Sequence, residues 1–113
     1  MVYLLKDEKR TECLFKVGYT KDIDRRMVAY ATHNPAAELL DAMVTYTKTK
    51  MQLETAIHTE IAALGCEFVT AADGTQTEWF RVAYDSALFA DLTTKGLAVF
   101  AACQGRKSLG GRG

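Results

Sequence analysis

Two apolar runs, residues 2–5 (VYLL) and 13–17 (CLFKV), stand on either side of the charged stretch 6–11 (KDEKRT). Each run is short and bounded by polar residues, which predicts two strands joined by a hairpin loop. The loop is longer than a two-residue turn, so turn chemistry does not set its register. Past Gly18 the apolar period lengthens. Ile23, Met27, Tyr30 and Ala31 recur at helical spacing, predicting an amphipathic helix. Thr20 is its expected N-cap, and Asp22 and Asp24 suit the positive end of the helix dipole. Asn34-Pro35 stops it.

Leu40, Ala42, Val44 and Tyr46 alternate with Asp41 and Thr45, predicting a third strand over 39–46. Leu53, Ile57, Ile61 and Leu64 form one stripe of a second helix over 51–64, and Gly65 suits its end. Residues 70–78 (TAADGTQTE) read as a loop, 79–82 as a short extended piece, and 85–93 as a third helix capped by Asp85. The apolar stretch 97–103 (LAVFAAC) fits strand or helix equally. The last nine residues hold four glycines and three basic residues and read as a flexible tail over 105–113. This order predicts one α+β domain over 1–104, with a mostly antiparallel sheet of about three strands flanked by helices.

Composition adds a compartment and a charge map. The cysteines at 13, 66 and 103 are odd in number and none sits at C-x-x-C spacing. Free, buried thiols in a reducing, intracellular setting are expected, rather than a disulfide framework. The apolar run 97–103 is too short to span a bilayer. The N-terminus meets acids at once and does not read as a signal peptide. A cytoplasmic protein with no membrane partner is therefore expected. Net charge is zero, but residues 1–50 hold nine Lys/Arg and seven Asp/Glu, residues 51–94 one and seven, and residues 95–113 four and none. A basic face and an acidic face can thus coexist, and a polyanion can bind the first.

The stretch 14–26, LFKVGYTKDIDRR, concentrates the candidate chemistry. A glycine after a strand, followed by a capped helix, gathers backbone N–H groups that can hold an anion. Gly18, Tyr19, Thr20, Lys21 and Arg25 are the expected phosphate or DNA contacts. Neighbours on a helix are about 100° apart, so one of Arg25 and Arg26 faces the sheet and the other solvent. An arginine fork matches two phosphate oxygens.

Taken in order, VYL at 2–4, KVGYT at 16–20, Arg26 eight residues after the glycine, Tyr30 four further on, and Glu54 on the next helix resemble the GIY-YIG nuclease superfamily. The likeness is greatest to its phage-associated branch, described as a DNA-binding domain, in which KIG or KVG replaces YIG. EWF at 78–80 also resembles that branch, and the likeness covers roughly residues 1–82. The resemblance implies a three-stranded antiparallel sheet with helices, cutting a nucleic-acid phosphodiester with one divalent metal, Mg²⁺ or Mn²⁺. It implies Glu54 as the metal ligand, Tyr3 as a helper in activating water, and Arg26 as the residue that steadies the phosphate. Tyr30 and His58, one turn past Glu54 on nearly the same face, complete the expected catalytic set, with His58 beside the metal or as a proton shuttle. Lys16 stands where the second motif has tyrosine, and an ammonium holds phosphate but does not shuttle a proton as a phenol does. Tyr19 is a partial substitute. Gln76 is the nearest counterpart to the family's C-terminal asparagine.

A metal-dependent endonuclease acting on DNA is the first expectation. A DNA-binding module without catalysis is the second, and a protein-interaction domain using the acidic middle segment is the third. The sequence leaves open a homo-oligomer.

Overall fold

The computed structural model describes residues 1–44, 50–103 and 107–108 of the chain. Strands β1 (Val2–Glu8) and β2 (Glu12–Tyr19) form the expected hairpin, in register from Val2 opposite Tyr19 to Glu8 opposite Cys13. Both strands run further than their apolar runs. β1 is central, paired with β2 on one side and, as far as Lys6, with β3 (Glu38–Val44) on the other; Asp7 and Glu8 stay extended through their pairing with Leu14 and Cys13 of β2. Their charges are answered locally: Lys6 Nζ lies 3.0 Å from Glu8 Oε1, and Lys9 Nζ lies 3.1 Å from Asp7 Oδ2.

The sheet is larger than the three strands expected. β4 (Phe68–Thr70) and β5 (Gln76–Ala83) form a second hairpin that docks on β2, and β6 (Lys107–Ser108) pairs with β3. The order is β4-β5-β2-β1-β3-β6, with every described pairing antiparallel. Residues 70–78 are therefore not one loop. The turn is closed by Ala71 N–H donating to the Thr75 carbonyl at 2.8 Å, with Gly74 at φ +88. The polar run beyond it is strand, and polar because that end of the sheet is exposed. Within the tail expected at 105–113, β6 is strand; the remaining tail positions lie outside the described residues, as do Thr45 and Tyr46 of the expected third strand.

One sheet face is covered by α2 (Lys50–Ala63) and α3 (Ala87–Lys95) with the 3-10 turns Gly96–Val99 and Ala101–Cys103, which settle the ambiguous stretch 97–103. Here Val2, Leu4, Phe15, Val17 and Phe80 meet Leu53, Ile57, Ile61, Leu92 and Phe100. Each such side chain, when fully buried, contributes about 1.5–3 kcal/mol. Leu64, expected in the stripe, is 56% exposed. The helix ends one residue earlier in a Schellman motif: Cys66 N–H donates to the Ile61 carbonyl, Gly65 N–H donates to Ala62, and Gly65 sits at φ +82. Ser86, not Asp85, caps α3, accepting from Phe89 N–H at 3.1 Å.

The other face is a smaller cluster of Tyr3, Leu5 and Ala42, covered by Ile23, Met27 and Tyr30 of α1 (Ile23–His33) and by Trp79. Ala31, expected on the apolar side of α1, is exposed. The expected alternation in β3 breaks because β3 bulges opposite Leu4 and Leu5, leaving Leu40 and Met43 toward one face and Ala42 toward the other. Asp41, expected on the polar face, is buried and accepts from Leu97 N–H at 2.9 Å, pinning the first 3-10 turn. Cys13, Cys66 and Cys103 are not joined in disulfides. Among the described residues no helix is long and apolar enough to cross a membrane.

Candidate functional site

The β2–β5 ladder ends at the pair Lys16–Trp79, while β2 continues to Tyr19 bonded to β1. At that end, side chains from both faces of the sheet meet around its edge. The structure brings Tyr3, Lys16, Arg26, Tyr30, Glu54 and His58 to this place, with Glu78 added.

Tyr3 is 2% exposed and lies opposite Gly18 in the hairpin. A Cβ on Gly18 would stand 2.5 Å from the Tyr3 hydroxyl oxygen and 2.6 Å from its ring carbon Cζ. The glycine is thus required by the tyrosine ring that crosses it, which is a steric duty distinct from the expected phosphate contact. The Tyr3 phenol is pushed far above its ordinary pKa, first by burial and then by its hydrogen bond with Tyr30; the Arg26 guanidinium pulls the other way and loses. At neutral pH the Tyr3 hydroxyl keeps its proton.

Tyr30 packs edge-on against Trp79 at 6.4 Å between ring centroids. Lys16 Nζ sits 5.3 Å from the Tyr30 ring centroid and 3.7 Å from Glu78 Oε2, with its side chain only 17% exposed. An ammonium so placed exchanges part of its hydration for a ring face and a carboxylate.

The start of α1 differs from expectation. Asp22, not Thr20, is the N-cap: its Oδ1 accepts from Arg25 N–H at 3.1 Å. Thr20 instead braces the turn, its Oγ1 accepting from Asp22 N–H at 3.2 Å. The positive end of this helix therefore already holds its own carboxylate. Arg25 and Arg26 are both exposed. With Thr20, Lys21 and Asp22 they border a hollow of about 300 Å³. Arg26 alone is near enough to the cluster to act on both Tyr3 and Glu54. Tyr19 is half-buried at the end of β2.

Glu54 and His58 lie one turn apart on the flank of α2, beside the buried Leu53 and Ile57, and both are half-buried. The Glu54 carboxyl is raised above its usual pKa by burial and then by the nearby Glu78; His58, Lys16 and Arg26 oppose that shift in part. His58 Nε2 is 2.9 Å from the Val17 carbonyl oxygen, and its ring packs edge-on to Phe68 at 5.9 Å. One ligand atom each from Glu54, His58 and Glu78 lie within 4.8 Å of one another. An open groove of about 560 Å³ beside His58 and Glu78 is bordered by Thr55, Phe68, Gln76 and Thr77.

Glu78 was not among the candidates read from the sequence. Its signal was the acid of EWF: period-two alternation puts Glu78 on the face of Phe80, which is the α2 face. Reading 70–78 as loop hid that alternation.

The T5orf172 domain model matches residues 1–90, a stretch holding every side chain of this cluster. The chain belongs to the T5orf172 domain family. The family is phage-associated and DNA-related. Searches of curated proteins and of solved structures give no match. For this T5orf172 domain, the site geometry therefore carries the finer argument.

Proposed function

We propose that this T5orf172 domain is a metal-dependent endonuclease of GIY-YIG type that hydrolyses DNA phosphodiester bonds. The observation that carries the reading is the meeting of one poorly solvated carboxylate, Glu54, with two cations, Arg26 and Lys16, at the open end of the sheet. A carboxylate held above its usual pKa by burial and by a second carboxylate favours a cation beside it. That donor chemistry fits a divalent metal, Mg²⁺ or Mn²⁺, with Glu54 as its ligand. Bound there, the dication supplies charge neutralisation at the phosphate and a water of lowered pKa.

The remaining work falls to side chains. Arg26 presents a planar fork to two non-bridging phosphate oxygens. Lys16 places a compact positive charge beside Tyr30 and Glu78, where it neutralises charge growing on the leaving oxygen. Tyr3 holds Tyr30 by a hydrogen bond and, keeping its proton, positions rather than abstracts. Lys21 and Arg25, at the exposed start of α1, extend the basic track for the DNA backbone.

One observation favours a second reading, DNA binding without cleavage. Lysine replaces one motif tyrosine, and the buried Tyr3 is far from serving as a base. A single gel separates the two: end-labelled duplex DNA with the purified chain, with and without Mg²⁺ or Mn²⁺, scored for shift and for cut product. Metal-dependent cutting supports the nuclease. A salt-sensitive shift with intact DNA under every metal supports the binding module.

A further inference from the structure

The geometry points to a three-donor centre made of Glu54, His58 and Glu78 that prefers a first-row transition dication over Mg²⁺. This deepens the nuclease reading by naming the ligands and the class of ion. It rests on that reading only for what the centre is used for.

Glu54 and His58 are four residues apart on α2, so both project from one side of the helix. Glu78 reaches the same point from β5. One carboxylate oxygen of Glu54, one of Glu78 and a ring nitrogen of His58 lie within 4.8 Å of one another. Around an ion with bonds of about 2.1 Å, neighbouring donors stand about 3 Å apart. Small side-chain rotations close that difference, since Glu78 is exposed and unbranched.

His58 is prepared for such a role by a partner outside the cluster. The Val17 carbonyl can only accept, so Nε2 at 2.9 Å carries the ring proton. In that tautomer Nδ1 keeps its lone pair. A ligating histidine almost always fixes its ring in this way, donating its other N–H to a carbonyl or carboxylate. Phe68, edge-on at 5.9 Å, restricts the ring further. The β2–β5 ladder stops one residue before Val17, and β5 from Glu78 back lies along the groove that opens beside the cluster.

The donor set decides the ion. Mg²⁺ prefers oxygen ligands and near-ideal octahedral geometry. One imidazole nitrogen with two carboxylates suits Mn²⁺ and the later first-row metals, whose affinity for nitrogen sites rises along the series. Lys16, 3.7 Å from Glu78 Oε2, is a positive charge that an incoming ion meets at this centre.

The test is a titration of the full chain with Mn²⁺, following loss of the free-ion electron paramagnetic resonance signal, with Mg²⁺ as competitor. The expected result is bound Mn²⁺ that only a large excess of Mg²⁺ displaces, with spin-echo modulation from a directly bound ¹⁴N. His58→Ala removes that modulation and weakens Mn²⁺ binding by about tenfold or more. Glu78→Gln, at an exposed position where the fold is safe, weakens binding but keeps the modulation. Absence of nitrogen modulation in the wild type, or unchanged Mn²⁺ affinity in Glu78→Gln, overturns the proposal. Nitrogen-bound Mn²⁺ with uncut DNA upholds the centre and removes the nuclease reading. Cutting by a chain that shows no nitrogen modulation does the reverse.

Discussion

The hydroxyl of Tyr3 occupies the space that a side chain on Gly18 would need, with only 2.5 Å to a Cβ built there. Tyr3 cannot swing aside, because its ring is buried under α1 between Leu5 and Ala42 in the smaller core cluster. Gly18→Ala is therefore expected to destabilise the domain by about 1–3 kcal/mol through overpacking. Urea unfolding followed by far-UV circular dichroism measures it. An unchanged midpoint would contradict the packing described for this hairpin.

A second prediction concerns pH. In the folded chain burial and Tyr30 hold the Tyr3 phenol protonated well above its ordinary range. The unfolded chain releases that proton near pH ~10. Because the folded pKa is the higher one, this contribution to stability is complete below pH ~10 and shrinks as pH rises beyond it, by at most about 1.4 kcal/mol per pH unit. Urea midpoints of the wild type should fall more steeply from pH 9 to 11 than those of Tyr3→Phe. The other tyrosines are common to both proteins, so parallel curves would show that Tyr3 is not held protonated by the fold.

Arg26 is exposed, so its replacement leaves the core untouched. Its charge nevertheless acts on Glu54 and Tyr3 across the cluster. Arg26→Ala is expected to slow DNA cleavage on the order of a hundredfold, the cost of one preorganised group facing developing charge. Thermal unfolding should be unchanged. Arg26→Lys should recover only part of the rate, since an ammonium lacks the two-pronged geometry. Full activity in Arg26→Ala would remove this residue from the phosphate.

Lys16 faces two ways, toward the Tyr30 ring at 5.3 Å and the Glu78 carboxylate at 3.7 Å. Removing its charge should therefore move two affinities in opposite directions. Lys16→Met is expected to weaken DNA binding and lower the salt slope by roughly one. The same change should tighten Mn²⁺ binding, because a competing cation leaves Glu78. Fluorescence anisotropy at several salt concentrations and the Mn²⁺ titration read the two effects. Unchanged DNA affinity would place the backbone of the nucleic acid away from Lys16.

Much of the framework could be read from local pattern. The β1–β2 hairpin, α1 and the Leu53, Ile57, Ile61 stripe follow from alternation and helical spacing, since each buries a face against its neighbours. What escaped depends on tertiary partners. The charged end of β1 stays in strand because β2 pairs with it as far as Glu8. The polar start of β5 is strand because β4 folds back on it. The bulge in β3 resets which residues face the core, and so Asp41 is buried against the Leu97 N–H. At the site, Lys16, Arg26 and Glu54 could be named from order along the chain, while Glu78 required knowing that it lies on a strand facing α2. Pairwise facts such as Tyr3 bonded to Tyr30, and His58 bonded to Val17, have no local signature at all.

The most direct measurement is single-turnover cleavage of supercoiled plasmid by wild type and by Glu54→Gln, each with saturating Mn²⁺ and with chelator. The account predicts nicked circles from the wild type with metal alone, and intact supercoils from Glu54→Gln even though the variant still shifts DNA on a gel. Supercoils left whole by the wild type, or nicking at equal rate by Glu54→Gln, would contradict it.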